Sequence, residues 1–233
     1  MTIEEAHIRI KILVDKIDSS YYEEVLPEEI DEILNEEYLR YIKTHYGKNN
    51  IYRRGFDESQ KRIDDLKNLV KSAFCNVTEV SYYDNVYRAD LSNLFSDENL
   101  TTQSEEEYML YLKGMAITCI GTCCKRNEVK LIQHDDISRI ANDPFNKPTA
   151  INPVIFFEDS DVFVWVGDNE SVNSFLVTFI KMPKKVSILP PVQEFEISSH
   201  AVSEIVVGAS QIIIEMIESN RVQSNTQNLT LKE

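Results

Sequence analysis

The chain has 233 residues, with 24 basic and 39 acidic side chains and a formal charge of −15. That length supplies a buried core for one large domain or two small ones, and 42% hydrophobic residues exclude wholesale disorder. The acidic excess excludes a grip on nucleic-acid phosphates or on an anionic membrane surface, both of which need clustered Lys and Arg.

Met1 to Glu5 has neither the basic start nor the apolar run of a secretory signal. No stretch is apolar for long enough to cross a bilayer as a helix. Cys75, Cys119, Cys123 and Cys124 form no CxxC pair and no ordered framework. They read as free thiols in a reducing compartment, so a soluble cytoplasmic product is expected.

Residues 3 to 18 set Ile3, Ala6, Ile10, Leu13, Val14 and Ile17 on one helical face. Pro27 starts a second helix, with Glu28 and Glu29 in its positive first turn. This helix buries Ile30, Leu34, Tyr38, Tyr41, Ile42 and His45 and stops at Gly47. After a polar loop from Lys48 to Gly55, a third helix is expected from Asp57 to Val70, with Ile63, Leu66, Leu69 and Val70 on one side.

Ala73 to Leu91 is rich in Val, Tyr and Thr and reads as one or two strands. Leu94 to Glu107 reads as an acidic loop. Tyr108 to Ile120 is a near-continuous apolar run, a buried strand. Val129 to Gln133 gives another short strand, and Asp135 to Ala141 a short helix capped by His134 or Asp135 and ended by Asp143-Pro144. Val154–Phe157, Val162–Val166 and Ser174–Ile180, separated by short polar turns, read as a three-stranded antiparallel meander. A last helix from Ser198 to Ser219 buries Val202, Ile205, Val206, Ala209, Ile212, Ile213, Met216 and Ile217. It turns His200, Glu204, Gln211, Glu215 and Glu218 outward.

The expected fold is therefore α+β: an N-terminal helical hairpin or bundle (1–72), a β-rich region with a central antiparallel sheet (73–196), a long closing amphipathic helix (197–219) and a polar tail (220–233). The first 72 residues carry −4 and the remainder −11.

Chemistry-bearing patterns are sparse. Gly114 and Gly121 are too far apart for a phosphate loop and no GK[ST] follows. Cys119, Cys123, Cys124 and His134 offer one ligand cluster where zinc uses two. Glu158, Asp159, Asp161, Asp168 and Glu170 sit where hairpin turns favour acids and Asn. His134-Asp135-Asp136 reads as a helix start. No catalytic, cofactor-binding or metal-ligating residue is assigned. Tyr82 and Tyr83 belong to a tyrosine-rich segment of the kind enriched where proteins meet. Lys184 and Lys185, beside Pro183, form a small basic spot able to face an acidic neighbour.

The C-terminal half carries a longer pattern. Asp135-Asp136-Ile137-Ser138-Arg139-Ile140 leads into Asp143-Pro144-Phe145-Asn146-Lys147-Pro148, then Pro153-Val154, the Val162–Val166 strand and Phe179-Ile180-Lys181-Met182-Pro183-Lys184-Lys185-Val186. It closes with Ile197, His200, Glu204-Ile205-Val206, Ile214-Glu215, Glu218-Ser219, Arg221 and Gln223. From Asp135 to Ser224 this run resembles virion structural proteins of crAss-like tailed bacteriophages of gut Bacteroidales, which form oligomeric rings beneath the portal.

The resemblance implies a non-enzymatic ring or head–tail connector subunit, located at the portal vertex of the virion and made in the host cytoplasm. Its partners would be copies of itself, twelve if it follows portal symmetry, together with the portal protein and other ring or tail proteins. DNA would pass through the lumen without specific binding, and neither a cofactor nor a membrane is implied. Tyr82, Tyr83, Lys184, Lys185, Arg221, Val222 and Gln223 are the assembly candidates, while Pro144, Phe145, Pro148 and Trp165 are read as shaping the fold. Rival readings are a tail-hub, tail-terminator or head-completion subunit, and a soluble host-directed binding protein.

Overall fold

The computed structural model describes residues 1–17, 25–46, 64–81, 84–121, 123–143, 145, 147–159, 161–168 and 170–216. The fold is α+β and divides into two compact units. One joins Met1–Leu69 to Pro183–Glu233, and the other is Val70–Met182. The helical unit thus takes in the segment after Pro183, which the sequence reading grouped with the strands.

In the helical unit, α1 (Ile3–Ile17) and α2 (Pro27–Tyr46) each pack against α4 (Ser199–Met216). Ile3, Ala6 and Ile10 of α1, Ile30, Leu34, Tyr38 and Ile42 of α2, and Val202, Ile205, Val206 and Ala209 of α4 are buried, as their 3–4-residue spacing requires. Three details depart from expectation. His45 is half-buried, stacked on Tyr41 with ring centroids 3.9 Å apart. Met216 is exposed, while Ile214, unassigned from the sequence, is buried. Of the expected third helix, residues 57–63 lie outside the described residues and 64–66 are helical. A 3-10 turn (Lys67–Leu69) follows, and Val70 opens a strand.

The second unit is built from β1 (Val70–Glu79), β2 (Val86–Phe95), β3 (Tyr108–Ile120), β4 (Cys123–Glu128), β5 (Lys130–Leu131), β6 (Val154–Glu158), β7 (Asp161–Trp165) and β8 (Glu170–Lys181). They form one eight-stranded sheet in the order β4-β3-β8-β1-β2-β7-β6-β5, antiparallel except for β5–β6. The expected three-strand meander is corrected. β6 and β7 form a hairpin, but β8 leaves β7 and inserts between β3 and β1. Its pattern of buried residues needs neighbours on both sides, which the long strands β1 and β3 supply.

The two ends of the sheet are consecutive in sequence. β4 pairs with β3, and a single residue later β5 pairs with β6. Val129 N donates to Gly114 O on β3, and Lys130 N to Pro153 O just before β6. One continuous segment therefore closes the sheet into a near-barrel, which removes most of its open edges. Inside lie Ala116, Val129, Ile155, Val162, Val164, Phe175, Val177 and Phe179. On the outside, α3 (His134–Asn142) lays Ile137 and Ile140 over Phe156 and Phe163. The cap of α3 is also corrected: Gln133 occupies that position with no side-chain hydrogen bond, so the helix start rests on Asp135 and Asp136.

Candidate functional site

The helical unit gathers polar groups of which the sequence placed only His200 and Glu204 on an outward face. Asp31, on α2, is buried and accepts a hydrogen bond from Ile188 N at 3.1 Å, while His7 Nε2 of α1 lies 2.8 Å from its other oxygen. One turn along, Asn35 bonds Val186 with both ends of its amide, accepting from the backbone N at 2.8 Å and donating to the carbonyl at 2.9 Å. Glu194 accepts from Ile3 N at 2.8 Å and Glu196 from Lys184 N at 3.0 Å. The segment 183–197 doubles back on itself, with Ser187 and Gln193 exchanging backbone hydrogen bonds, and is strapped to α1 and α2 through Asp31, Asn35 and Glu194.

A second cluster surrounds Asp65, which is fully buried. Tyr41 OH donates to Oδ2 at 3.1 Å and Ser198 OH to Oδ1 at 3.1 Å, with His200 Nε2 2.5 Å from the same Oδ1. Serine, histidine and aspartate together suggest a nucleophile relay, but the geometry is wrong for one. Ser198 and Asp65 both approach Nε2, whereas a relay puts serine and aspartate on opposite ring nitrogens. Burial, and then the neighbouring carboxylates of Glu204 and Asp65, hold the Tyr41 hydroxyl well above the usual tyrosine range. Tyr41 is therefore a donor that orders the junction between α2 and the start of α4. Glu37 lies over Gly208, close enough that a Cβ there would sit 2.3 Å from its Oε1. Burial raises its carboxyl despite Arg40 Nη1 at 3.2 Å.

In the barrel, the acidic turns have specific partners. Asp161 meets Arg88 Nε at 2.6 Å, Glu170 accepts from Gly167 N at 2.7 Å, and Asp168 accepts from Asn85 at 2.8 Å and Lys147 at 3.2 Å. These contacts fix hairpin geometry. Among the described residues no three His, Cys, Asp or Glu side chains converge as metal ligands. The cysteines correct the sequence reading. Cys119 and Cys124 face each other across the β3–β4 hairpin with Cα atoms 4.1 Å apart and form a disulfide, leaving Cys75 buried and Cys123 exposed. The hairpin turns at Gly121, whose φ of +61° suits a residue without Cβ. In the chain-entropy view, closing so short a loop stabilises by about 2 kcal/mol. The cysteines therefore no longer support a reducing compartment.

No protein-family model and no curated protein matches this chain.

Of the assembly candidates, Lys184 and Lys185 are exposed at the start of the strap. Tyr82, Tyr83, Arg221, Val222 and Gln223 lie outside the described residues, as does Pro144. Pro148 is buried and Trp165 packs against the cluster under α3, but Phe145 is 95% exposed and shapes no core.

Sequence reasoning missed one surface. On α1, Ile8 and Ile12 are 59% and 58% exposed. At 100° per residue they centre opposite the stripe of Ile3, Ala6, His7 and Ile10. The signal was present, since an apolar pair at i and i+4 outside the main stripe marks a helix with two apolar faces.

Proposed function

We propose that this chain is a non-enzymatic virion structural protein, a ring or connector subunit joining portal to tail in a tailed bacteriophage, present in twelve copies where it follows portal symmetry. The observation that carries the reading is the second apolar face of α1. One face serves α4, and the opposite one, with Ile8 and Ile12, is left for a neighbouring subunit. The near-barrel suits such a subunit, because its closed sheet resists uncontrolled edge pairing while loops and helices make chosen contacts. The resemblance over 135–224 points the same way.

In this reading the N-terminal helices, a hairpin or bundle by sequence, meet the adjacent copy through α1. Lys184 and Lys185 face its acid, and Tyr82, Tyr83 and the 220–233 tail with Arg221, Val222 and Gln223 complete the contacts. The portal protein and other ring or tail proteins bound the ring axially. A net charge of −15 makes the wall repel a passing duplex rather than hold it.

Electron cryo-microscopy of intact particles tests this directly. Density for the chain as a ring at the portal vertex is expected, and a site elsewhere in the tail would move the assignment to a hub or terminator. Absence of the chain from purified particles would refute the reading and favour a host-directed protein. A neutral or basic lumen face would remove the DNA-path element.

A further inference from the structure

The β3–β4 hairpin carries three of the four cysteines, and the pairing register sorts them by face. Cys119 lies directly across from Cys124, and Ile120 directly across from Cys123. Paired residues share a face and consecutive ones alternate. The Cys119–Cys124 disulfide therefore occupies one face of the hairpin, and the free Cys123 thiol points from the other. Thiol and disulfide sit in adjacent residues, yet Cys123 is turned away from the bond in its own chain.

The two sulfurs of that bond differ. Cys119 is 4% exposed, on a strand that β8 covers, whereas β4 is exposed at every residue but Asn127, Cys124 included. Asn173 of β8 donates its amide N–H to the Cys124 sulfur at 3.8 Å and holds it in place. A thiolate attacks a disulfide from the side opposite the leaving sulfur. For attack on Cys119 that side is inside the packed wall. For attack on Cys124 it is solvent, and Cys119 is the group that leaves.

We propose that this hairpin is a thiol–disulfide exchange site through which copies of the chain become covalently joined, Cys123 of one copy attacking Cys124 of the next. The Cys123 thiol loses its proton, its sulfur bonds to Cys124 Sγ, and the Cys119–Cys124 bond breaks. Cys119 leaves as a thiolate and takes up a proton in turn. One S–S bond replaces another, so neither oxidant nor reductant is consumed. The proposal rests on the ring reading and gives it a directional link. Because nucleophile and electrophile lie on opposite faces of one hairpin, copies meet face to back, a heterologous contact that propagates instead of closing as a two-fold pair.

The test divides the two halves between full-length chains. An acceptor carrying Cys123→Ser keeps the disulfide, and a donor carrying Cys119→Ser and Cys124→Ser keeps the thiol. The unsubstituted chain is run beside them, since the donor has lost the hairpin's cross-link. All are incubated without oxygen at about pH 8, where an ordinary thiol is partly ionised, then acid-quenched, alkylated and mapped without reductant. A one-to-one pair linked Cys123 to Cys124 is expected within hours, about tenfold or more above either chain alone. The unsubstituted chain should give a ladder with the same link and still hold two free thiols per chain, Cys75 with Cys119 in place of Cys123. That ladder supports the proposal even where the donor fails to fold. Absence of both pair and ladder would overturn it. So would a Cys123–Cys123 link, which needs an oxidant and leaves one free thiol per chain. Glutathione capturing Cys124 while no copy does would likewise exclude the second copy as partner. A portal-vertex ring whose subunits separate without reductant would sink this inference alone, whereas absence of the chain from particles would sink the ring reading even if purified chains link.

Discussion

Replacing Gly114 by alanine should destabilise the barrel, for a reason readable in ångströms. A Cβ at this position would lie 2.6 and 2.9 Å from two ring carbons of Phe175 and 2.9 Å from a methyl of Val129. Carbon atoms pack at about 3.5–4.0 Å, so the ring must move by roughly 1 Å, and Phe175 is fully buried with no free space to enter. Overpacking of this kind costs about 1–3 kcal/mol. The stiffer unfolded chain of the alanine variant returns about 0.4–1 kcal/mol, so the net is a loss.

For a unit of this size, spanning Val70–Met182, about 4–6 °C of melting temperature follows each kcal/mol. A fall of roughly 5–10 °C is therefore expected. The only tryptophan, Trp165, lies on β7, so thermal unfolding followed by its fluorescence reports on the barrel. Adding Phe175→Leu should recover part of the loss, with a coupling of about 1 kcal/mol in a double-mutant cycle. An alanine variant that melts with the wild type, or two substitutions that simply add, would show that β3 and β8 are not in contact at Gly114 as described.

Asp31→Ala should cost roughly 2–3 kcal/mol in urea unfolding, because it strands the buried His7 Nε2, at ~1–3 kcal/mol, and removes the acceptor of the half-buried Ile188 N. Asp31→Asn, which keeps an acceptor, should lose less, and equal stability of the alanine variant would contradict the strap. Glu37→Gln should stabilise at pH 7. The folded-state carboxyl is raised by burial, so the wild type gains stability as pH falls through that value and bears the full cost of charge above it. The advantage should close as pH falls toward the ordinary glutamate range of about 4.5, and an advantage constant with pH would refute burial as the cause. Thiol titration should find one reactive group in the native protein, Cys123, since Cys75 is buried and its thiol is pushed up to about 12. Unfolding without reductant should expose two and reduction all four; four without reductant would exclude the Cys119–Cys124 bond.

What was legible in the sequence followed local periodicity. Tyr108–Ile120 was bounded correctly because an apolar run of that composition has no other short-range solution. The helices around Ile10, Leu34 and Ile205 followed from 3–4-residue spacing. What failed depended on distant partners. β4, Cys-Cys-Lys-Arg-Asn-Glu, has no apolar alternation because it is a solvated edge strand, and only its place beside β3 makes it one. β8 follows β7 after a short turn, so adjacency suggested pairing, while its true neighbours begin at Val70 and Tyr108. Asp31 and Asp65 drew no attention in the sequence because their partners, Ile188 and Ser198, lie 157 and 133 residues away. Within the candidate surface, the exposed lysines could be read directly; the Ile8–Ile12 pair was also visible as a second apolar stripe, but which of the two stripes is buried depends on the side α4 occupies.

The division of the helical unit into two separated stretches sets the order in which the protein can be made. All barrel strands lie between Val70 and Met182, and the first pairs with the last at Val70↔Ile180, so this unit can close on the ribosome as soon as its own chain has emerged. α1 and α2 must wait for α4, since 152 residues lie between Tyr46 and Ser199. At synthesis rates of about 5–20 residues per second this is a delay of roughly ten to thirty seconds. Only then does α1 gain the support that fixes which isoleucines face outward. The helical unit is therefore completed last, a delay written into chain order.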